Sequence, residues 1–516
     1  METSAQNSSL RSSDYIQETE GFLLPNPGDV FMVVAFAWST LCMLLVIDGG
    51  GLTRTIARLS GSQQIRQLLL TEQTAIAALL FVGVITLGVA FFVFFRYRLL
   101  TTALAFFSFC FASSLWAPLH DLAFAIKYLL VIFFGTYGLL FFLRNGWRIF
   151  STKGYRLAFM YVAWIAITAL WAGLELGDIW YAGTEFTLLF GFGFAWFLYL
   201  DKAEELRSLN ITLAYTAIVV TICHMLSPFV GVEYFQGGRF VSQFGRATGF
   251  ATIFSVFVVT MFWMTMYDQN PVRKNIFTAF ALIGYGLILW SGTRNATVAT
   301  LIGIAALWWV FRSRIFIIAS IAGMAALLAQ ILLGGLDATS FLVDRVASTE
   351  NTRLDVWDLY LGLYAQKPIF GYSPSGLQGA VYGDSLINLI SGLGGRLNIP
   401  GVHNLYLGYA VRFGSIGLIL VCTIFVVCAI RAIKVVFSDK VTLEDKKLFI
   451  LPATLVFLIV LQGLFEDTIG STGKGSVHGL VLGMAIPLVY LYGGKLLRRA
   501  EKSDTDMSTV QELHGY

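Results

Sequence analysis

The chain has 516 residues, of which 57% are hydrophobic and 13% are charged, with a formal net charge of +4 and a mean hydropathy of +0.73. Soluble domains carry about 25% charged residues, so this composition excludes a soluble enzyme. The small net charge says little about nucleic acid, but there is no basic stripe with interleaved aromatic residues, so we expect no nucleic-acid partner. The five cysteines lie in apolar sequence without paired ligand spacing and predict neither disulfides nor a metal site.

Apolar blocks of about twenty residues recur along the chain, and this is the length of a membrane-spanning helix. The blocks are continuous rather than alternating, so they predict helices and not the strands of a barrel. We therefore predict an all-α polytopic membrane protein with about 12–14 transmembrane helices. The predicted segments lie near 28–47, 74–95, 99–118, 122–143, 157–174, 183–200, 211–231, 247–267, 275–291, 295–311, 315–334, 404–430, 448–465 and 477–494.

The lysines and arginines of the short loops predict the orientation of these helices. Basic residues concentrate in every second loop, and such loops lie in the cytoplasm. The first residues lack a basic start followed by a short apolar run, so no cleavable signal peptide is predicted. The predicted organisation is a cytoplasmic tail at 1–27, transmembrane helices in 28–334, a periplasmic loop at 335–402, transmembrane helices in 403–494, and a cytoplasmic tail at 495–516.

One loop breaks this alternation. Residues 49–73 should lie outside, yet they contain Arg54, Arg58 and Arg66. Either the first helix is misplaced, or this stretch forms an amphipathic helix at the membrane surface. The topology of residues 1–98 stays open for this reason.

The long segment 335–402 has the features of an ordered loop. Residues 352–355 (TRLD) resemble the start of a capped helix, and Pro368 should end that helix. An ordered loop of this length is usually functional. The residues expected on one face of the helix are Leu354, Trp357, Leu361 and Tyr364.

His403 lies where this loop meets the next apolar segment. Histidine is the side chain best suited to proton transfer near neutral pH, so His403 is a candidate general base. The alternative is an interfacial histidine held by a backbone carbonyl. Glu466 ends a later segment on the same predicted side and could contact the same cavity, or it could simply be solvated at a helix end.

Three arginines are also predicted on the outer side: Arg246, Arg294 and Arg353. Cytoplasmic anchoring cannot explain them there. A guanidinium presents a planar set of donors that matches phosphate oxygens. The alternative is that each side chain extends to the outer lipid headgroups. Together with His403, the three arginines predict an anion-binding site beside a proton acceptor.

These residues resemble motifs of the bacterial O-antigen ligase and polysaccharide polymerase superfamily. Residues 291–296 (SGTRNA) are similar to a motif that ends in arginine, with Thr293 where serine is usual. The family's loop motif is similar to residues 352–357 (TRLDVW) with 367–372 (KPIFGY). Its histidine-asparagine motif is similar to residues 403–407 (HNLYL) with 414–418 (GSIGL). The resemblance covers about residues 240–430, and the first 200 residues match only in hydropathy.

The resemblance implies an inverting glycan transfer from an undecaprenyl diphosphate carrier to an acceptor hydroxyl, with no metal or other cofactor. The architecture would be similar to that of membrane-embedded glycosyltransferases in the bacterial inner membrane, with the active site facing the periplasm. His403 would accept the proton, while Arg294 and Arg353, with Arg246 as a third candidate, would bind the diphosphate. The supporting residues would be Asn404, Tyr406, Trp357 and Glu466.

The resemblance does not separate a polymerase of exopolysaccharide or O-antigen repeats, which we favour, from a ligase. The acceptor would be a growing glycan in the first case and lipid A–core in the second, and a chain-length regulator is a candidate partner of a polymerase. A flippase for lipid-linked oligosaccharides is the alternative from another class, but no inverted repeat is evident. A metal-dependent glycosyltransferase would need paired acidic residues early in the chain, where only Asp48 and Glu72 occur.

Overall fold

The computed structural model of the chain describes residues 90, 92–173, 176–200, 202–230, 235–236, 239–244, 247–312, 352–377, 402–466 and 475–501. Twelve α-helices lie within these residues. They are α1 (Arg98–Phe111), α2 (Ala117–Asn145), α3 (Lys153–Trp171), α4 (Leu176–Phe186), α5 (Ala203–Met225), α6 (Ala247–Tyr267), α7 (Pro271–Trp290), α8 (Arg294–Phe311), α9 (Thr352–Gln366), α10 (Leu405–Phe437), α11 (Leu443–Gln462) and α12 (Gly475–Pro487).

Eight helices among the described residues are long and apolar enough to cross a membrane. Apart from one pair of two-residue strands, β1 (Phe235–Gln236) and β2 (Arg239–Phe240), the described elements are helical. This confirms the predicted all-helical class. The predicted segments 28–47 and 315–334 and most of 74–95 lie outside the described residues, so the total of about 12–14 helices stays a prediction.

Helix α6 lies at the centre of the bundle, because 94% of its most apolar stretch is buried. It packs against α5, α7, α8 and α11. A helix that is apolar all round can be buried on every side, and the helix has the same bounds as the predicted segment 247–267. The antiparallel neighbour α11 is fixed to it at both ends: Trp263 Nε1 donates to the Lys447 carbonyl at 2.8 Å, and Gln462 Nε2 donates to Ser255 Oγ at 2.6 Å.

The predicted segment 183–200 is not one regular helix. Helix α4 continues into a π-helix at Thr187–Ala195 and then into a 3₁₀ turn at Trp196–Tyr199. Close packing explains this change, because a Cβ on Gly191 would overlap the Phe134 carbonyl of α2. Only glycine lets the two backbones approach so closely.

Helix α9 docks on the beginning of α10 through a small separate core, and it ends before Pro368 as predicted. That core consists of Tyr360, Leu363, Tyr372, Leu377, Val402 and Val411. Of the residues predicted on one face of α9, Leu361 is 50% exposed. The face that docks on α10 is formed by Tyr360 and Leu363 with Val356 and Tyr364 beside them, because tyrosines can bury their rings while the hydroxyl keeps a partner.

Helix α10 is interrupted at Gly414, which has φ 68° and ψ −174°. The carbonyls released by this break find donors elsewhere. Tyr372 N donates to Val411 O at 2.9 Å, and Ser373 N donates to Arg412 O at 2.8 Å. The residues that follow α9 therefore pack into this break. The break lies in the second part of the histidine-asparagine motif.

Candidate functional site

His403 lies immediately before α10 with a left-handed backbone, φ 47°. Its Nδ1 is 3.2 Å from Glu466 Oε2, and its side chain is 39% exposed. A carboxylate only accepts hydrogen bonds, so we assign the ring N–H to Nδ1 and the acceptor lone pair to Nε2. This is the tautomer that a general base needs, with the outer ring nitrogen able to take a proton.

Glu466 is only 9% exposed, so little of it contacts solvent. It lies just beyond α11, where its backbone N donates to Gln462 O at 3.0 Å. The described partner of the His403 ring is thus the Glu466 carboxylate.

Asn404 fixes the backbone on one side of His403. Its Oδ1 caps α10 by accepting from Leu407 N at 2.9 Å, and its Nδ2 donates to Leu464 O at 3.1 Å. Leu405 N donates to Gly463 O at 2.7 Å, so the start of α10 is fastened to the end of α11. Asn404 is therefore a capping residue that orients His403.

Trp357 and Tyr406 fix the surroundings of His403 in the same way. Trp357 Nε1 donates to the carbonyl of Val402, the residue before His403, at 2.9 Å. Tyr406 donates through its hydroxyl to Val460 O at 3.0 Å. Both hydrogen bonds end on backbone carbonyls, so these side chains position the histidine.

Arg294 is the first residue of α8, and it is exposed. Its neighbour Asn295 donates through Nδ2 to Gln462 O at 3.0 Å. The start of α8 is therefore fastened to the same end of α11 as the start of α10. We call this end of the bundle, where α8 and α10 begin and α11 ends, the site end. It brings the Arg294 and His403 segments together, although they are far apart in sequence.

The structure shows less of the other two predicted arginines. Arg353 lies in the first turn of α9, but its side chain is outside the described part of the chain. Arg246 lies outside the described residues altogether. Their roles stay predictions.

Arg239 is a residue that the sequence interpretation missed. Its Nε donates to Ser291 O at 2.7 Å, and its Nη2 donates to Thr293 Oγ1 at 3.3 Å. These contacts fix the turn that precedes Arg294. The only signal in the sequence was one more arginine in the segment before Arg246, with no pattern to show its partner.

Two buried acids near the site end were also missed. Asp178, which is 1% exposed, accepts from Ser373 Oγ at 2.9 Å and from Ser375 N at 2.8 Å. Glu185 is 7% exposed and accepts from the Tyr161 hydroxyl at 3.3 Å. Glu185 could have been noticed as a carboxyl group within a predicted membrane segment, where ionisable residues are rare.

Among the residues that the structure describes, no three His, Cys, Asp or Glu side chains could jointly hold a metal ion. The described geometry offers instead a histidine with a carboxylate partner, next to the start of a helix that begins with arginine. Such an arrangement can accept a proton from a hydroxyl and bind an anion close by.

Part of the chain is similar to a known protein family. Residues 277–422 match the family model described as O-antigen ligase, and this range includes Arg294, α9 and His403. No curated protein matches the chain. Residues 277–422 are thus similar to the O-antigen ligase domain, which is typical of membrane glycosyltransferases of the ligase/polymerase type.

Proposed function

We propose that this protein transfers a glycan from undecaprenyl diphosphate to an acceptor hydroxyl, with inversion, at the periplasmic face of the bacterial inner membrane. The observation that carries the proposal is the contact of His403 Nδ1 with Glu466 Oε2, because it leaves Nε2 as the proton acceptor at the site end. The family assignment supports lipid-linked glycans as the substrate class.

In the proposed reaction the acceptor oxygen attacks the anomeric carbon while its proton passes to His403 Nε2. The bond between the anomeric carbon and the diphosphate oxygen breaks, and its electron pair stays on the diphosphate. Glu466 keeps the imidazole in the reactive tautomer and stabilises the imidazolium that forms. A diphosphate is a good leaving group, so the mechanism requires no strong acid and, following the family resemblance, no metal.

Arg294 and Arg353, with Arg246 as a third candidate, bind the diphosphate and stabilise the charge that gathers on it as it leaves. Stabilisation of developing charge is usually the largest contribution to such a transfer. The exposed position of Arg294 at the first residue of α8 suits this role, since the positive end of a helix favours an anion.

We favour a polymerase of exopolysaccharide or O-antigen repeats over a ligase. The two differ in the acceptor: a polymerase joins lipid-linked repeats to one another, and a ligase transfers them to lipid A–core. Purified protein in nanodiscs should therefore be given lipid-diphosphate repeats alone. Longer lipid-linked glycans with release of undecaprenyl diphosphate would support the polymerase.

Transfer that appears only after lipid A–core is added would establish the ligase instead. A flippase would move the lipid-linked glycan without releasing undecaprenyl diphosphate. Movement without release would therefore contradict the proposed glycosyl transfer.

A further inference from the structure

We propose that Asp178 is a positioning residue for the transfer reaction. It lies in the first turn of α4, outside the range 277–422 that matches the family. Its carboxylate fixes the residues that follow α9 and so holds α9 against the end of α10 that carries His403. This inference rests on the proposed function for its effect on activity.

Both oxygens of Asp178 contact one short segment. Oδ2 accepts from the Ser373 hydroxyl at 2.9 Å, and Oδ1 accepts from the Ser375 backbone N at 2.8 Å. The carboxylate is 1% exposed, so water cannot replace these donors. Hydrogen bonds to a buried charged acceptor are among the stronger ones in proteins, and losing them leaves the charge unsatisfied.

Ser373 has the geometry of a residue that its surroundings hold in place. It adopts φ 63°, which an L-residue rarely adopts without support. Its backbone N donates to Arg412 O at 2.8 Å, while its Oγ donates to Asp178 and accepts from Gly376 N at 3.1 Å. Asp178 is thus one of several contacts that maintain this backbone.

The opposite side of the same segment lies in the break of α10. A Cβ on Gly371, which has φ 70°, would come within 2.5 Å of Arg412 O. A Cβ on Gly414 would overlap the Ile369 carbonyl. Residues 369–375 are therefore enclosed between the break of α10 and Asp178. We call this arrangement the clasp.

The clasp is joined to α9 by side-chain contacts. The Tyr372 hydroxyl donates to Gln366 Oε1 at 2.9 Å, and burial raises the pKa of this phenol, so it remains a donor. Tyr364 and Ser415 share a hydrogen bond of 2.6 Å between their hydroxyls. The last turn of α9 is thereby fixed to α10 on both sides of the Gly414 break.

The other end of α9 reaches the site. Trp357 Nε1 donates to Val402 O, directly before His403, and Arg353 lies one turn earlier. Loss of the Asp178 contacts should loosen the clasp and allow α9 to shift relative to His403. A misplacement of about 1 Å at a distance from the reacting atoms can reduce a rate about 10²-fold.

The test uses the full-length protein in nanodiscs and compares Asp178→Ala, Asp178→Asn and Ser373→Gly. Asparagine can still accept from Ser375 N, so Asp178→Asn should keep more activity than Asp178→Ala. Glycine removes the Ser373 hydroxyl while tolerating the positive φ. We expect kcat/KM for the lipid-linked donor to fall about 10²-fold in Asp178→Ala. The double variant with Ser373→Gly should lose less than the product of the two single losses, because one contact is shared.

Local amide hydrogen exchange distinguishes loosening of the clasp from a general loss of stability. Exchange in residues 369–377 should rise in Asp178→Ala, while exchange in α6 and α11 stays as in the wild type. Asp268→Ala is the matched control, since Asp268 is a buried acid paired with Arg273 beyond the far end of α6. This variant should leave both transfer and exchange in residues 369–377 unchanged.

Unchanged exchange in residues 369–377, additive losses in the double variant, or exchange that rises throughout the helices would each overturn the role of Asp178. If Asp178→Ala is too unstable to purify, Asp178→Asn and Ser373→Gly give the same comparison. Failure of the proposed function would look different. In that case the wild type would release no undecaprenyl diphosphate, whereas the exchange pattern of the clasp would still follow Asp178.

Discussion

Glu466 Oε2 lies 3.2 Å from Nδ1 of His403, and the two residues approach each other from the end of α11 and the start of α10. A neutral histidine without a hydrogen-bond partner could carry its proton on either ring nitrogen. The carboxylate selects Nδ1–H, so the protein presents Nε2 to the acceptor. The proposed mechanism depends on this selection.

Glu466→Gln should therefore lower the turnover number although the side chain keeps its size. The amide can donate to Nδ1 and so favour the tautomer with hydrogen on Nε2. We expect a loss of about 10²–10⁴-fold in kcat, the size of a general-base contribution. Transfer with purified protein at saturating donor measures this, with Asp268→Asn at the opposite end of the bundle as the control. Equal turnover of Glu466→Gln and wild type would show that the contact does not select the tautomer.

Arg353→Lys should transfer glycan less well than the wild type. Lysine keeps the positive charge but loses the planar fork that binds two phosphate oxygens at once. The expected loss is about 10-fold, equivalent to one charge-assisted hydrogen bond of about 1.5 kcal/mol. The assay is complementation of polysaccharide synthesis, followed by donor titration of the purified variant.

Arg312→Lys is the matched control, because Arg312 lies at the other end of α8 with its guanidinium over the Trp309 ring. It should retain wild-type transfer. If Arg353→Lys equals the wild type as well, only the charge matters at that position.

Gly414→Ala should destabilise the protein and the clasp together. The residue has φ 68°, and a Cβ would overlap the Ile369 carbonyl. The positive φ alone costs about 1–3 kcal/mol. Thermal unfolding in detergent should show a lower midpoint and greater proteolysis between α9 and α10.

Gly362→Ala is the control within the same unit, since among the described residues no atom beyond the adjoining backbone of α9 lies within 4 Å of a Cβ at that position. It should not lower the unfolding midpoint, because alanine favours a helix more than glycine does. A Gly414→Ala protein as stable as Gly362→Ala would contradict the described break in α10.

Long apolar runs made much of the fold predictable. Helix α6 has the bounds predicted for segment 247–267, because a helix buried on all sides has one continuous apolar signal. The histidine-asparagine motif predicted that Asn404 supports His403. Its capping role follows from its position directly before α10. Local sequence was sufficient in these cases.

Contacts between distant segments could not be predicted in this way. Asp178 and Ser373 belong to different segments far apart in the chain, and no periodicity relates them. The π-helix depends on the close approach of Gly191 to Phe134, and the exposed position of Leu361 depends on which face of α9 meets α10. Each of these features is decided by packing partners, which a single sequence does not name.

The most direct test of the proposed mechanism is transfer by His403→Ala, measured with donor binding determined separately on the same purified protein. We expect donor binding to remain close to that of the wild type, because arginines bind the diphosphate, while transfer at saturating donor falls about 10²–10⁴-fold. A His403→Ala protein that binds the donor poorly but transfers normally at saturation would contradict the role of His403 as the general base.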